Sequence, residues 1–133
     1  TVDTAKKLIE RLEQEAVRRG QRAVIAVCNP EGNPVAVHVM DGAFLVSFDV
    51  AMKKAYTAVA VKMSTIELSK IALPGGTFYV VDTLDGGKIV IFGGGIPLKS
   101  GNTIIGGLGI SGGTGEEDHS LAEYGQSVLN EIL

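Results

Sequence analysis

The chain has 133 residues, 45% of them hydrophobic and 20% charged, the balance of a folded domain and not of a disordered segment. A net charge of -3 excludes the basic footprint of a nucleic-acid binder, and no apolar run reaches the length of a membrane span. The single cysteine, Cys28, excludes an intrachain disulfide and any multi-cysteine zinc or iron–sulfur site, and it suits a reducing, cytoplasmic setting.

The first element is an amphipathic helix over residues 4–19. Ala5, Leu8, Ile9, Leu12 and Ala16 recur at helical spacing, and Gly20 stops the helix. Residues 23–28 read as a buried strand, 29–33 as a turn and 34–40 as the return strand of a hairpin. A second helix is expected over 47–63, with Ser47 as its N-cap. Val50, Ala51, Met52, Ala55, Tyr56, Ala58, Val59, Ala60 and Val61 leave it apolar almost all round, which predicts burial on every side. Ser64 and Glu67 form a capping-box pattern that opens a short third helix, closed by Pro74.

Beyond Pro74 the texture changes. Fifteen of the 18 glycines lie there, fourteen of them between Gly75 and Gly115, with no collagen-like period. Residues 78–81 and 88–92 read as two strands flanking a turn at 82–87. Gly93, Gly94, Gly95 and Pro97 follow, then a turn at 100–102 and a strand over 103–110. Thr114 and Glu117 make a second capping-box pattern, which starts a last helix running to Leu133. Hairpins dominate this order, so one domain spanning 1–133 with an antiparallel sheet and helices packed on it is expected. Residues 1–22 carry six Lys/Arg against four acids, +2, whereas residues 111–133 carry five acids and no Lys/Arg, -5. A mean hydropathy of +0.26 exceeds what one small core absorbs, and this points to subunit contacts.

Several patterns bear on function. The stretch 107–112 spells G-x-G-x-x-G, but a dinucleotide site also needs a βαβ unit and a later acidic residue, and only one helix follows. The stretch 94–100 departs from a P-loop because Leu98 stands where a glycine is required. Gly93, Gly94 and Gly95 suit either a backbone nest for an anion or flat ligand, or a tight strand bend. Ser111 and Gly112 open a loop into a helix N-terminus, which favours anions, although Glu116, Glu117 and Asp118 oppose one there. His38 and His119 are candidate ligands for a metal or haem iron, or ordinary packed or surface histidines. Alternation places His38 on the face opposite Val37 and Val39. Cys28, Met40, Met52 and Met63 read as core packing. Asp41, Asp49 and Lys54 form either an acid–base cluster or plain surface charge. No C-x-x-C-H is present, so haem would not be covalently attached. No nucleophile–His–acid set follows from the spacing.

In order along nearly the whole chain, a series of stretches resembles the GlcG/HbpS family, and in particular the C-terminal domain of PduO-type corrinoid adenosyltransferases. They are Ala26-Val27 with the Glu31-Gly32-Asn33 turn, 40–43, 54–58, 92–98 and 105–114, followed by Glu117-Asp118. The resemblance implies an α+β, profilin-like α/β/α fold with a five-stranded antiparallel sheet. It implies homo-oligomers from dimers to octamers, and binding of haem or a related tetrapyrrole or corrinoid. It also implies a link to propanediol or glycerol metabolism and bacterial microcompartments. The nucleotide-binding adenosyltransferase domain has no counterpart in this chain.

Two departures stand out. Where HbpS-like members carry an acidic E-x-x-E iron motif, this chain has Asp49 and Met52. Where PduO-like haem binders supply a first-helix histidine, residues 1–20 contain none.

The expected function is therefore a small oligomeric haem or tetrapyrrole binder with no catalytic residues of its own. Its cofactor residues would be His38, Lys54, Gly93, Gly94, Gly95, Ser111, Gly112 and His119, with Lys54 pairing a propionate and no separate metal site. Pathway or microcompartment proteins are its expected partners, and no nucleic acid or membrane is. The alternatives are a cofactor-free scaffold oligomer, and an enzyme on a small carbonyl or hydroxy-acid substrate using Asp41, Lys54 and His38.

Overall fold

The computed structural model describes residues 1–133. The first helix, α1 (Val2–Arg18), starts two residues before the expected residue 4, because the Thr1 hydroxyl accepts from the Thr4 N–H and caps it. Gly20 follows in the left-handed region, φ +73, and ends it as expected. The strands β1 (Val24–Cys28) and β2 (Pro34–Val39) form the hairpin. The Asn29 side chain accepts from the N–H groups of Glu31 and Asn33 and so builds the turn between them.

The second helix, α2 (Ser47–Val61), is not capped by Ser47. Val46 occupies the cap position without a side-chain bond, while Ser47 is buried within the first turn. Its burial is also one-sided. Ala51, Lys54, Ala55, Thr57 and Ala58 are covered, and Ala60 is exposed. The third helix, α3 (Thr65–Ile71), is capped by Ser64 as the sequence predicts.

Residues 78–81 and 88–92 do not form the expected strands. Val80 turns the chain at φ +65, a conformation no extended strand contains, and tight turns follow at Val81–Thr83 and Asp85–Gly87. Thr57 of α2 then satisfies the returning chain. Its hydroxyl donates to Lys88 O at 3.2 Å and accepts from the Val90 N–H at 2.9 Å. A side chain takes the place of a neighbouring strand, and the sheet has four strands where five were expected.

The strand β3 (Gly95–Ser100) arises where the sequence suggested a glycine loop. It pairs with β4 (Thr103–Ser111), and α4 (Gly115–Ile132) closes the chain with the full Thr114–Glu117 capping box. The sheet order is β2-β1-β4-β3, antiparallel throughout. Helices α1 and α4 bury Leu8, Ile9, Leu12, Leu121 and Leu129 against Ile25, Val27, Leu108 and Ile110 on one face. Ala51 and Ala55 of α2 pack on Val24, Ala26 and Cys28 on the other. No helix is long and apolar enough to cross a membrane.

The G-x-G stretch of β4 is a packing device. Leu108 and Ile110 face the large core, and Gly107 and Gly109 face α2. A Cβ at Gly109 would lie 1.9 Å from Ala51 O, and one at Gly107 2.4 Å from Ala55 O. Only bare backbone lets the helix approach this closely.

Candidate functional site

Six of the eight sequence-predicted site residues converge at one end of β4. Lys54, on the buried face of α2, donates from Nζ to Ile110 O at 2.8 Å and to Asp118 Oδ2 at 3.1 Å. Asp118, in the first turn of α4, also accepts from the N–H groups of Gly112 and Gly113, at 3.3 and 2.9 Å. Gly93, Gly94, Gly95 and Ser111 line the same junction and are buried. The Phe92 ring lies over Lys54, 5.2 Å from Nζ to its centroid.

Within this cluster the expected ligand groups have partners inside the chain. The loop at 111–113 is an anion nest, and the anion in it is the chain's own Asp118. Lys54 is 1% exposed and its ammonium is engaged with Ile110 O and Asp118, so it has no surface to offer a propionate. Burial lowers the Lys54 pKa, outweighing the opposite pull of Asp118. The glycines are filled from within. A Cβ would meet Gly115 O at 2.3 Å from Gly93, Ile110 O at 2.3 Å from Gly94, Lys54 O at 2.5 Å from Gly95 and Arg22 O at 2.2 Å from Gly112. They allow close internal packing.

The two histidines lie apart from each other, beside opposite edges of the sheet, and neither hydrogen-bonds to this junction. His38 on β2 faces α1, and its Nδ1 sits 2.7 Å from Glu13 Oε1 with the ring half exposed. A groove of about 630 Å³ begins at Glu13 and runs past Val17, Arg22, Val39 and Met40. His119 on α4 places Nε2 3.2 Å from Glu123 Oε1, while its Nδ1 is buried without a partner. A second groove, lined by His119, Lys62, Met63, Lys99 and Pro97, borders β3, so Met63 is not the core residue the sequence suggested.

Other expectations resolve simply. Asp41 is exposed and its carbonyl accepts from Arg22, whereas Lys54 lies beneath α2 on the opposite face of the sheet from the His38 ring. Asp41, Lys54 and His38 therefore build no common reaction centre. Asp49 pairs with Lys53 at 2.9 Å, and Met52 lines a cleft of about 440 Å³ with Cys28, Ala55 and Tyr56. No three His, Cys, Asp or Glu side chains converge. Burial pushes the Cys28 thiol up to about 11, which keeps it protonated and unreactive.

Sequence reasoning missed Glu13 and the pairing role of Asp118. Glu13 is one of many α1 charges, and only the hairpin register brings His38 over it. Asp118 carried a legible signal, because an acid in a helix's first turn is placed to satisfy preceding N–H groups.

The family model described as "Haem degrading protein HbpS-like" matches residues 1–127. A curated relative is 36% identical over 99% of this chain and 93% of its own length: an uncharacterized 15.0 kDa protein in the dhaT-dhaS intergenic region of Citrobacter freundii. The corrinoid adenosyltransferase PduO of Salmonella typhimurium is 39% identical over 92% of this chain, and the match spans 38% of PduO. Among solved structures, a PduOC:heme complex is 35% identical with a TM-score of 0.92, covering 98% of this chain and 94% of that one.

Proposed function

The chain belongs to the HbpS-like family, and from that membership we propose that it is a small binding protein for haem or a related tetrapyrrole, acting as a homo-oligomer. One observation carries the reading: the likeness to the PduOC:heme complex over 98% of the chain. The residues present fit such a group. His38 turns a half-exposed ring to solvent beside Glu13, exposed Val17 one turn further along α1 offers apolar contact, and the Arg22 guanidinium suits a propionate. Bound haem supplies one-electron and oxygen chemistry. The chain's own part is to ligate, orient and shield it.

The oligomer reading is supported by Phe44, Leu45, Val46 and Phe48, a run of exposed apolar side chains in which Leu45 is 96% exposed. A cytoplasmic accessory role in propanediol or glycerol metabolism, inside a microcompartment, is supported by the likeness to PduO and to the dhaT-dhaS protein. Adenosyl transfer is not part of the proposal, since the chain spans 38% of PduO.

Size-exclusion chromatography with light scattering, run with added hemin, tests this. Hemin absorbance is expected to travel with a particle larger than one subunit. Hemin eluting free of a stable oligomer favours a cofactor-free scaffold and overturns the haem reading. A monomer carrying haem overturns the oligomer.

A further inference from the structure

We propose that the Glu13–His38 pair is the iron-ligating element of this chain, with His38 Nε2 as the ligand and Glu13 as its positioning residue. The inference rests on the haem reading above. It answers a specific gap, for α1 carries no histidine that could serve as the ligand.

The argument starts from the two nitrogens of each ring. An ionised carboxylate only accepts hydrogen bonds. Glu13 Oε1 sits 2.7 Å from His38 Nδ1, so the proton of neutral His38 lies on Nδ1 and donates to Glu13. The remaining lone pair is then on Nε2, the far edge of a ring that is half exposed. A carboxylate holding one imidazole nitrogen while the other meets a metal is the standing arrangement of metal-bound histidines. The carboxylate sets the tautomer, fixes the ring and raises the basicity of the ligating nitrogen.

His119 fails the same test. Its Nε2 is the atom beside Glu123, at 3.2 Å, and the nearby carboxylate favours the proton on Nε2. The lone pair falls on Nδ1, which is buried and has no partner. An iron atom cannot reach it, and turning the proton onto Nδ1 would leave a buried donor unsatisfied. The structure thus separates two histidines that the sequence left equivalent.

Position supports the same choice. Glu13 stands on α1, and the hairpin register carries His38 over that helix, so a β2 residue presents an imidazole at the α1 surface. The groove that begins at Glu13, beside the His38 ring, adds apolar Val17 and the Arg22 guanidinium.

Hemin titration of the full chain, followed at the Soret band and by the ferric–ferrous midpoint potential, tests the pair. Wild type is expected to give a saturable shift with an imidazole-ligated spectrum. His38→Ala and the second variant His38→Gln are expected to lose that spectrum, and added imidazole restores it in His38→Ala. Glu13→Gln is expected to weaken binding by about 10–100-fold and raise the midpoint potential, as a less basic imidazole stabilises ferric iron less. His119→Ala is expected to match wild type. If wild type binds and both His38 variants keep its spectrum, the ligand assignment is wrong while the haem reading stands. If Glu13→Gln equals wild type in affinity and potential, the positioning role is wrong. If wild type gives no saturable shift, the haem reading and this inference fall together.

Discussion

Lys54 and Asp118 meet at 3.1 Å across the end of β4, with side chains 1% and 2% exposed. They tie α2 to the N-terminus of α4, and through Gly112 and Gly113 they fix the loop between β4 and α4. An isolated buried charge is far costlier than a buried pair. Lys54→Met or Asp118→Leu alone is therefore expected to destabilise the fold by about 3–5 kcal/mol. The double variant is expected to recover part of that loss, though the Gly112 and Gly113 N–H groups stay unpaired. Equilibrium urea unfolding of the three variants checks this, and additive losses would contradict a coupled pair.

The approach of α2 to β4 sets a second expectation. Gly109→Ala places a methyl group 1.9 Å from Ala51 O, and the helix must move. A loss of about 3 kcal/mol is expected, at the upper end of overpacking costs. Gly101→Ala, at φ +62 with nothing within 4 Å, is expected to cost about 1 kcal/mol through backbone strain alone. Urea midpoints at equal slope measure both.

The free edge of β3 is closed residue by residue. The Gly95 N–H donates to Thr65 Oγ1 at 2.9 Å, and Pro97 has no N–H. Gln126 accepts from the Lys99 N–H at 2.9 Å and donates to Lys99 O at 3.0 Å, mimicking a paired strand. Gln126→Ala is expected to open the end of this edge and to give association that grows with protein concentration. Light scattering over a dilution series reads it, and a variant no more associated than wild type would contradict the account.

Acid sensitivity should trace in part to Glu15. Arg18 first and Arg19 second hold its carboxyl down at about 2, against an ordinary value of 4.5. The unfolded chain thus binds this proton more readily than the folded one. The pair's stabilisation is whole above about pH 4.5 and is lost as pH falls towards 2. Glu15→Gln is expected to flatten the stability profile across that window, measured by thermal unfolding at several pH values. An unchanged slope would contradict the assignment.

The elements with local chemistry were legible in the sequence. Gly20 ended α1, Asn29 built the hairpin turn, and Thr114 with Glu117 opened α4, because each acts on its own backbone within a few residues. What needed the third dimension was not. Thr57 replaces a strand from 31 residues away, Pro97 concealed an edge strand, and the glycines look alike whether they admit a ligand or a helix. The site followed the same division. Histidine and lysine were visible as residue types, yet only the fold shows that Lys54 is engaged internally and that Glu13 holds His38.

Hemin titration of the wild-type chain at the Soret band tests the central claim most directly. The account predicts a saturable shift to an imidazole-ligated spectrum with a fixed ratio of haem to subunit. A linear, unsaturated rise matching free hemin in buffer would contradict it.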